Sequence, residues 1–476
     1  MTKIIIWEDN YLEFYNTNSH NMKAIATFVV LVFFNLVLQA QNSDKTTRIA
    51  TLLQDKTNLS KLYYPKSVLR FYTKDNMGYT WFEGSNSDQP EIAVLLLGYA
   101  DQFGLSSSGY HCQELSPEKL MAIIDSKFND SDERAWLDIL MTDALITFIN
   151  NLHFGKYNPK YTSSDIDAGY INGFCSDDKL SFALSQNDFL RTILEVQPQI
   201  HAYKQLQDHL NTLYANDLVN TSQSQIEKIV INMERLRWIN TISENYILVN
   251  IPSYSLELHT NKIQRDFKVI VGKPSTPSPI LESVVTHFTT APDWKVPQSI
   301  FRKEMLPKIL KNSKYLTDHH YSIYDRNGNE VTINPARLKE ISRNTSSYSV
   351  RQSSGCDNAL GAVVFRFENT YGIYLHDTSQ KQLFNKEERA LSHGCVRVEQ
   401  ADKLAKLLLE NDRSEDQLPI LENAMANYKR KDFVLKQPIP IIITYLTYSI
   451  KNGRPVFYKD IYHLDSGLIE KVIANK

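Results

Sequence analysis

Cysteine is scarce in this chain, with four residues among 476, at positions 112, 175, 356 and 395. Four cannot staple a chain of this length as a disulfide scaffold. No pair has the short CxxC-type spacing of a zinc site. A charge surplus is also missing, because 52 Lys and Arg stand against 54 Asp and Glu, a net charge of −2. Binding to nucleic acid usually leaves a basic footprint, so nucleic acid is excluded as the expected partner. Beyond position 40 no run stays apolar for about 18 residues, which excludes a later bilayer span. No repeat with a period of about 20–50 residues recurs, which argues against a solenoid. What remains is ordinary globular composition, 42% hydrophobic and 22% charged, in a chain long enough for two or three domains.

The first forty residues differ from the rest. Ala24 to Leu38 is apolar except for Thr27 and Asn35, with Met22-Lys23 before it and Gln39-Ala40 after it. A short basic start, an apolar core and a small final residue form a secretory signal, expected over 22–40. At about 1.5 Å per residue the run is short for a ~30 Å bilayer core. Because a methionine stands at 22, residues 1–21 read as an upstream extension from a misassigned start. The alternative is a genuine tail followed by an N-terminal anchor, the one membrane contact expected. Cleavage after Ala40 would leave a working protein that starts at Gln41, outside the cytoplasm.

From about 44 to 235 the pattern is helical. Ile49, Leu52 and Leu53 recur at helical spacing, Ile92 to Ala100 is an apolar run, and Trp136, Ile139, Leu140, Ala144 and Phe148 follow a 3.6-residue period. These are read as packed faces. Two more helices are expected over 200–213 and 223–236. At Tyr246 the texture changes to β-branched and aromatic runs: 246–251, 255–258, 267–271, 361–367, 373–376 and 441–446. Their density predicts a β-sandwich or barrel core. The Pro- and Lys-rich stretch 291–350, with a short helix over 299–310, reads as an inserted lid. A catalytic domain is thus expected over 240–450, with 451–476 as a tail.

Chemistry concentrates in residues 371–399, which hold two histidines and a cysteine. Cys395 follows Ser392-His393-Gly394. A thiolate is a strong nucleophile near neutral pH, but needs a base or a positive field to form. His376 ends a predicted strand 19 residues earlier, and a returning loop would set its imidazole beside the thiol. His393 could also serve; the strand end favours His376. Gly394 permits a positive φ, so the Gly394 and Cys395 N–H groups could face a developing oxyanion. Taken alone, a cysteine is more often a small buried hydrophobe.

Ser392-His-Gly-Cys-Val-Arg397 and Tyr374-Leu-His-Asp-Thr378 resemble the signature of the L,D-transpeptidases (YkuD-type), cysteine enzymes of peptidoglycan cross-linking. Asn232-Met-Glu-Arg-Leu-Arg-Trp238, Tyr246 to Pro252, Val269 to Pro274, Trp294 to Ile300 and Asn358-Ala-Leu-Gly361 are similar to the large periplasmic Gram-negative subgroup with an N-terminal scaffold. The resemblance covers about residues 62–450 and is strongest over 232–400. It implies an α+β fold: a mostly helical scaffold domain, then a β-sandwich catalytic domain with an inserted capping subdomain. It implies Cys395 as nucleophile, His376 as base, and Gly394 and Cys395 as oxyanion donors with the His393 backbone nearby. Tyr374, Arg397, Asn358, Trp294 and Ser392 match residues that shape the substrate groove.

The implied activity is ping-pong acyl transfer from a tetrapeptide donor, through a Cys395 thioester, to the side-chain amine of a second diaminopimelate. It needs no metal or organic cofactor. Partners are then peptidoglycan stem peptides and a carbapenem inhibitor, in the periplasm. A carboxypeptidase or endopeptidase, an enzyme anchoring an envelope protein to the wall, and a silent wall-binding module are the other readings. Two departures stand out. Ser353-Ser-Gly-Cys-Asp357 replaces a Pro-Gly pair, and about 18 residues between Leu213 and Asn232 leave no space for a peptidoglycan-binding module.

Overall fold

The computed structural model describes residues 48–82, 88–116, 118–119, 131–215, 222–240 and 243–474. The extension and signal or anchor read over 1–40 lie outside the described residues. No described helix is long and apolar enough to cross a membrane. The chain divides into two compact units at Gln197/Pro198. Two helices that the sequence pattern groups with the helical half therefore fall in the second unit.

In the first unit, helix α1 (Pro65–Lys74) opens on a proline, whose missing N–H costs nothing in a first turn. Its N-terminal donors are met by carboxylates from elsewhere in the unit. Asp143 accepts from the Tyr63 and Tyr64 N–H groups at 2.9 Å each, and Asp167 accepts from Ser67 at 2.8 Å. Helix α2 (Asp132–Phe154) is capped by Ser131, whose side chain accepts from Arg134 N–H. Ile139, Leu140, Ala144 and Phe148 are buried as expected of a packed face, and Trp136 is half-buried. The helix also buries Asp138, Thr142 and Asp143, so it is enclosed on every side. Asp138 is satisfied there by the Tyr72 hydroxyl at 2.7 Å and by Trp81 N–H at 2.8 Å.

The second unit is built on β1 (Tyr246–Asn250), β2 (Ser255–His259), β3 (Gln264–Gly272), β4 (Leu281–Thr290), β8 (Val363–Phe367), β9 (Leu375–His376), β10 (Ala390–Ser392), β11 (Val396–Val398) and β12 (Lys431–Thr444). Pairing runs β3–β11–β9–β8–β4–β12–β1–β2 and returns from β2 to β3. The strand-rich core therefore takes the closed, barrel form, with β10 added in parallel beside the end of β3. Closure satisfies edges that an open sheet would expose. Alternate residues turn inward: Ile247 and Val249, Leu256 and Leu258, Val363 and Phe365, Leu375, Val396 and Val398 share one buried cluster. Leu404 and Leu408 of helix α5 (Ala401–Asn411) join it.

Helices α3 (His201–Ala215) and α4 (Gln223–Arg237) precede the barrel. The Asn232–Trp238 motif works as an anchor for the far end of the chain. Asn232 accepts from Thr447 N–H at 2.9 Å, and Arg235 meets Asp465 at 2.7 Å. Residues 451–474, read as a tail, are folded: β14 (Arg454–Phe457) pairs with β13 (Tyr448–Lys451), and helix α6 (Ser466–Ile473) follows. The inserted stretch has its own sheet, β5 (Trp294–Lys295), β7 (Ser349–Gln352) and β6 (Tyr321–Tyr324) in the order β5–β7–β6. Its separate core includes Phe301, Met305, Ile309, Leu316, Ile341 and Val350.

Candidate active site

β9 and β11 lie side by side in parallel, pairing Leu375 with Val396 and His376 with Arg397. Because Leu375, Val396 and Val398 point into the core, strand alternation puts Tyr374, His376, Cys395 and Arg397 on the opposite face. A pair of adjacent strands thus brings together four residues that the sequence separates by about twenty positions. Cys395 sits opposite Tyr374, two register positions from His376 and on the same face.

His376 is buried, at 5% exposure. Its Nδ1 meets the Asp377 carbonyl at 2.5 Å. A carbonyl only accepts, so Nδ1 carries the proton and Nε2 keeps its lone pair. Burial, with a smaller push from the Arg397 charge, lowers this imidazole to about 3, against a small opposing effect of the Asp377 carbonyl. The ring is neutral at physiological pH, the form a proton acceptor requires. Asp377 is itself clamped: Oδ2 accepts from Ala362 N–H at 2.9 Å, and Oδ1 is paired with Lys381. Gly361, at φ +62°, has no room for a Cβ because Asp377 Oδ2 would stand 2.4 Å away.

Burial also raises the Cys395 thiol above its ordinary range, opposed by the Tyr374 backbone N–H, the Arg397 charge and the Tyr374 hydroxyl. The resting pair is therefore neutral thiol beside neutral imidazole. Tyr374 joins several parts of the site. Its hydroxyl lies close enough to Cys395 and to the Trp294 side chain for both to shift it. The Arg366 guanidinium stands 5.5 Å over its ring, and its ring packs edge-on to His376 at 5.6 Å. Burial, then the charge at Cys395, holds its phenol well above the usual range. Arg397 lowers its own pKa through burial, offset by Cys395, and donates to Gln380 at 3.1 Å.

The Ser392–Cys395 turn is held from one side by the loop after β3. Ser392 Oγ accepts from Gly394 N–H at 3.1 Å and donates to the Cys395 carbonyl. Ser278 Oγ donates to the Gly394 carbonyl at 2.7 Å and accepts from Gly272 N–H at 2.9 Å. Tyr462 completes the link, donating to the Gly272 carbonyl at 2.6 Å. Gly394 adopts φ +118°, as a turn of this tightness requires. Its N–H is taken by Ser392, whereas nothing among the described residues accepts from Cys395 N–H. Asn358 is fully buried and spent on backbone: Nδ2 donates to Ser353 O at 2.8 Å, and Oδ1 accepts from Leu360 N–H at 2.8 Å. Its side chain is committed to holding that loop. His393 points outward and meets Glu304 of the inserted subdomain at 2.5 Å.

Sequence reasoning did not find Arg366, Asp377, Ser278, Glu304 or Tyr462. Asp377 adjoins His376 in sequence, which was its one signal; the others come from strands and loops far along the chain. All four cysteines are free thiols. Among the described residues no group of three or more His, Cys, Asp or Glu side chains could hold a metal ion.

Comparison with known proteins gives the following. Residues 244–420 match the family model of the L,D-transpeptidase catalytic domain, YkuD, and residues 66–210 match that of the scaffold domain. A Haemophilus influenzae protein bearing the L,D-transpeptidase name is 29% identical over 433 residues, covering 90% of this chain and 84% of that one. Among solved structures, an L,D-transpeptidase from Mycobacterium smegmatis is 13% identical at TM-score 0.21, covering 42% of this chain and 58% of that one. Mycobacterium tuberculosis L,D-transpeptidase 1 is 12% identical at TM-score 0.16, covering 42% and 60%. The chain spans less than two thirds of either structure's length.

Proposed function

Since the chain carries a YkuD-type L,D-transpeptidase catalytic domain behind an N-terminal scaffold domain, we propose that it cross-links peptidoglycan through a thioester on Cys395. The observation that carries this reading is the pairing of β9 with β11, which puts His376 and Cys395 on one face beside Arg397 and Tyr374. His376 Nε2 takes the thiol proton as sulfur attacks the carbonyl between meso-diaminopimelate and the terminal D-Ala of a tetrapeptide. The C–N bond breaks, and the proton passes to the departing D-Ala amine. The side-chain amine of a second diaminopimelate then attacks the thioester. Its proton goes to His376, sulfur leaves as thiolate and is reprotonated, and a 3→3 amide remains.

The unassigned Cys395 N–H is the oxyanion donor in this reading. Gly394 N–H joins it only when the Ser392 hydroxyl rotates away. Charge in the transition state develops close to Arg397, which favours the thiolate. Water in place of the acceptor amine gives L,D-carboxypeptidase activity, so the inserted subdomain sets the balance by excluding water. Export by the 22–40 signal to the periplasm and acylation of Cys395 by carbapenems belong to the same proposal.

The test is incubation of the purified protein with tetrapeptide muropeptides, with mass spectrometry of products and of Cys395. The expected result is 3→3 dimers and a transient adduct on Cys395, both absent in Cys395→Ala. Dimers formed by Cys395→Ala would end the proposal.

A further inference from the structure

The inserted subdomain meets the residues around Cys395 through Trp294, whose side chain shifts the Tyr374 phenol, and through Glu304. Glu304 Oε1 stands 2.5 Å from His393 Nε2. Glu304 lies in a widened turn, Phe301–Met305, where Leu306 N–H reaches back five residues to the Phe301 carbonyl. Such π-turns carry a residue more than an α-turn and recur at functional sites. Here Phe301 and Met305 are locked into the subdomain core, while Arg302, Lys303 and Glu304 are exposed. Glu304 thus sits in a turn anchored at its two ends by buried Phe301 and Met305, with its carboxylate reaching outward.

The other end of the contact is equally constrained. The carbonyls of Ser392 and Gly394, flanking His393, are tied to the loop after β3 by Lys273 N–H at 3.0 Å and by Ser278 Oγ at 2.7 Å. Among the described residues, His393 is the residue of the turn hydrogen-bonded to the inserted subdomain. We infer that Glu304 is a positioning residue, through which docking of the subdomain fixes the conformation of the turn carrying Cys395. It accepts a hydrogen bond from the His393 ring and pulls the turn toward the subdomain from the side that the β3 loop leaves open. The subdomain thereby does more than cover the groove: when it lifts, the turn loses one of its two supports.

This inference rests on the proposed acyl-transfer reaction, and its test separates the two. The full chain carries Glu304→Ala, Glu304→Gln, His393→Ala, or Glu304→Ala with His393→Ala. Two readouts are taken: kcat and KM on tetrapeptide muropeptides, and the rate of iodoacetamide alkylation at Cys395. The second is read by peptide mass spectrometry, because Cys112 and Cys356 are also exposed thiols.

For Glu304→Ala we expect about a tenfold fall in kcat with KM nearly unchanged, and an altered Cys395 alkylation rate. Glu304→Gln, whose amide oxygen still accepts, should restore most of both. The double variant should equal either alanine variant alone, because all three lose one contact. Multiplying effects in the double variant, or a glutamine variant as impaired as alanine, would overturn the inference. If wild type yields no product while alkylation still tracks Glu304 in this pattern, the acyl-transfer reading fails and the positioning role stands.

Discussion

The protonation state of the Cys395–His376 pair gives a sharp prediction. Many catalytic cysteines are thiolate–imidazolium pairs before substrate arrives. Here burial moves both groups toward neutrality, the thiol above its ordinary 9.0 and the imidazole to about 3. A thiol at 9.0 is about 1% ionised at pH 7, and each further unit upward costs another factor of about ten. Iodoacetamide reacts with the thiolate, so its rate at Cys395 should climb about tenfold per unit from pH 6 to 9, without a plateau. Turnover depends on neutral His376 and should show no acid limb near 6.5; kcat/KM should hold to about pH 4. Arg397→Gln removes the charge that favours the thiolate and disfavours the imidazolium. A loss of one unit of thiol acidity would slow alkylation at pH 8 by about tenfold, or ~1.4 kcal/mol. The assay is stopped-time alkylation across pH with site-resolved mass spectrometry. A rate flat from pH 5 to 9, or faster alkylation of Arg397→Gln, would refute the neutral pair.

Gly272→Ala would put a methyl 2.2 Å from the Thr276 carbonyl oxygen and 2.6 Å from Ser278 N. It should displace the loop supporting the turn at a cost of about 3 kcal/mol, seen as a lower melting temperature and loss of product. Ser278→Ala orphans the Gly272 N–H and the Gly394 carbonyl, so unfolding by denaturant should show a loss of about 1–3 kcal/mol. Burial acts to raise the Asp465 carboxyl, but Arg235, Lys228 and Thr447 outweigh it and hold the group below its ordinary 3.8. Its contribution is therefore present above that value and lost as pH falls through the lower folded value. Asp465→Asn should be less stable at pH 7 and should lose part of the acid slope in denaturation midpoints taken from pH 7 to 3.

The strands that carry the chemistry were legible because alternation and turn residues announce them. Tyr246–Asn250 and Leu375–His376 lie within the ranges their composition predicts. β12 was largely hidden, since Pro438 and Pro440 argue against a 14-residue strand. Pro438 falls where the pairing with β4 shifts register between Val434 and Ile439, the kind of irregularity that tolerates proline, whereas Pro440 stands in register opposite Val284. β4 was hidden too: Glu282 and His287 interrupt its hydrophobic pattern, and its partners come from distant sequence. In the first unit, the period in α2 was visible, but the burial of Asp138 and Asp143 was not. Their partners at 63–64, 72 and 80–82 approach only in the folded unit. At the site, Cys395 and His376 are marked by residue type, whereas Ser278 lies in the proline-rich stretch 274–279 with no chemical signal. Its role arises only because β3 ends beside β10.

The closed ring has a consequence for how the protein is made. β1 opens the barrel, yet it pairs in parallel with β12, Ile247 against Ile441 and Val249 against Ile443. A ribosome that has already released Cys395 and His376 has still to produce the strand joining β4 to β1. Contacts this distant in sequence form slowly, because a long loop must close first. The nucleophile therefore emerges on an unfinished ring, and its turn acquires the Tyr462 support only after β12 has followed. Nascent chains tethered at about residue 430 should remain protease-sensitive and inactive, although every residue of the reacting group is already present. The strand order makes closure of the ring around the reacting residues depend on β12, which follows them in the chain.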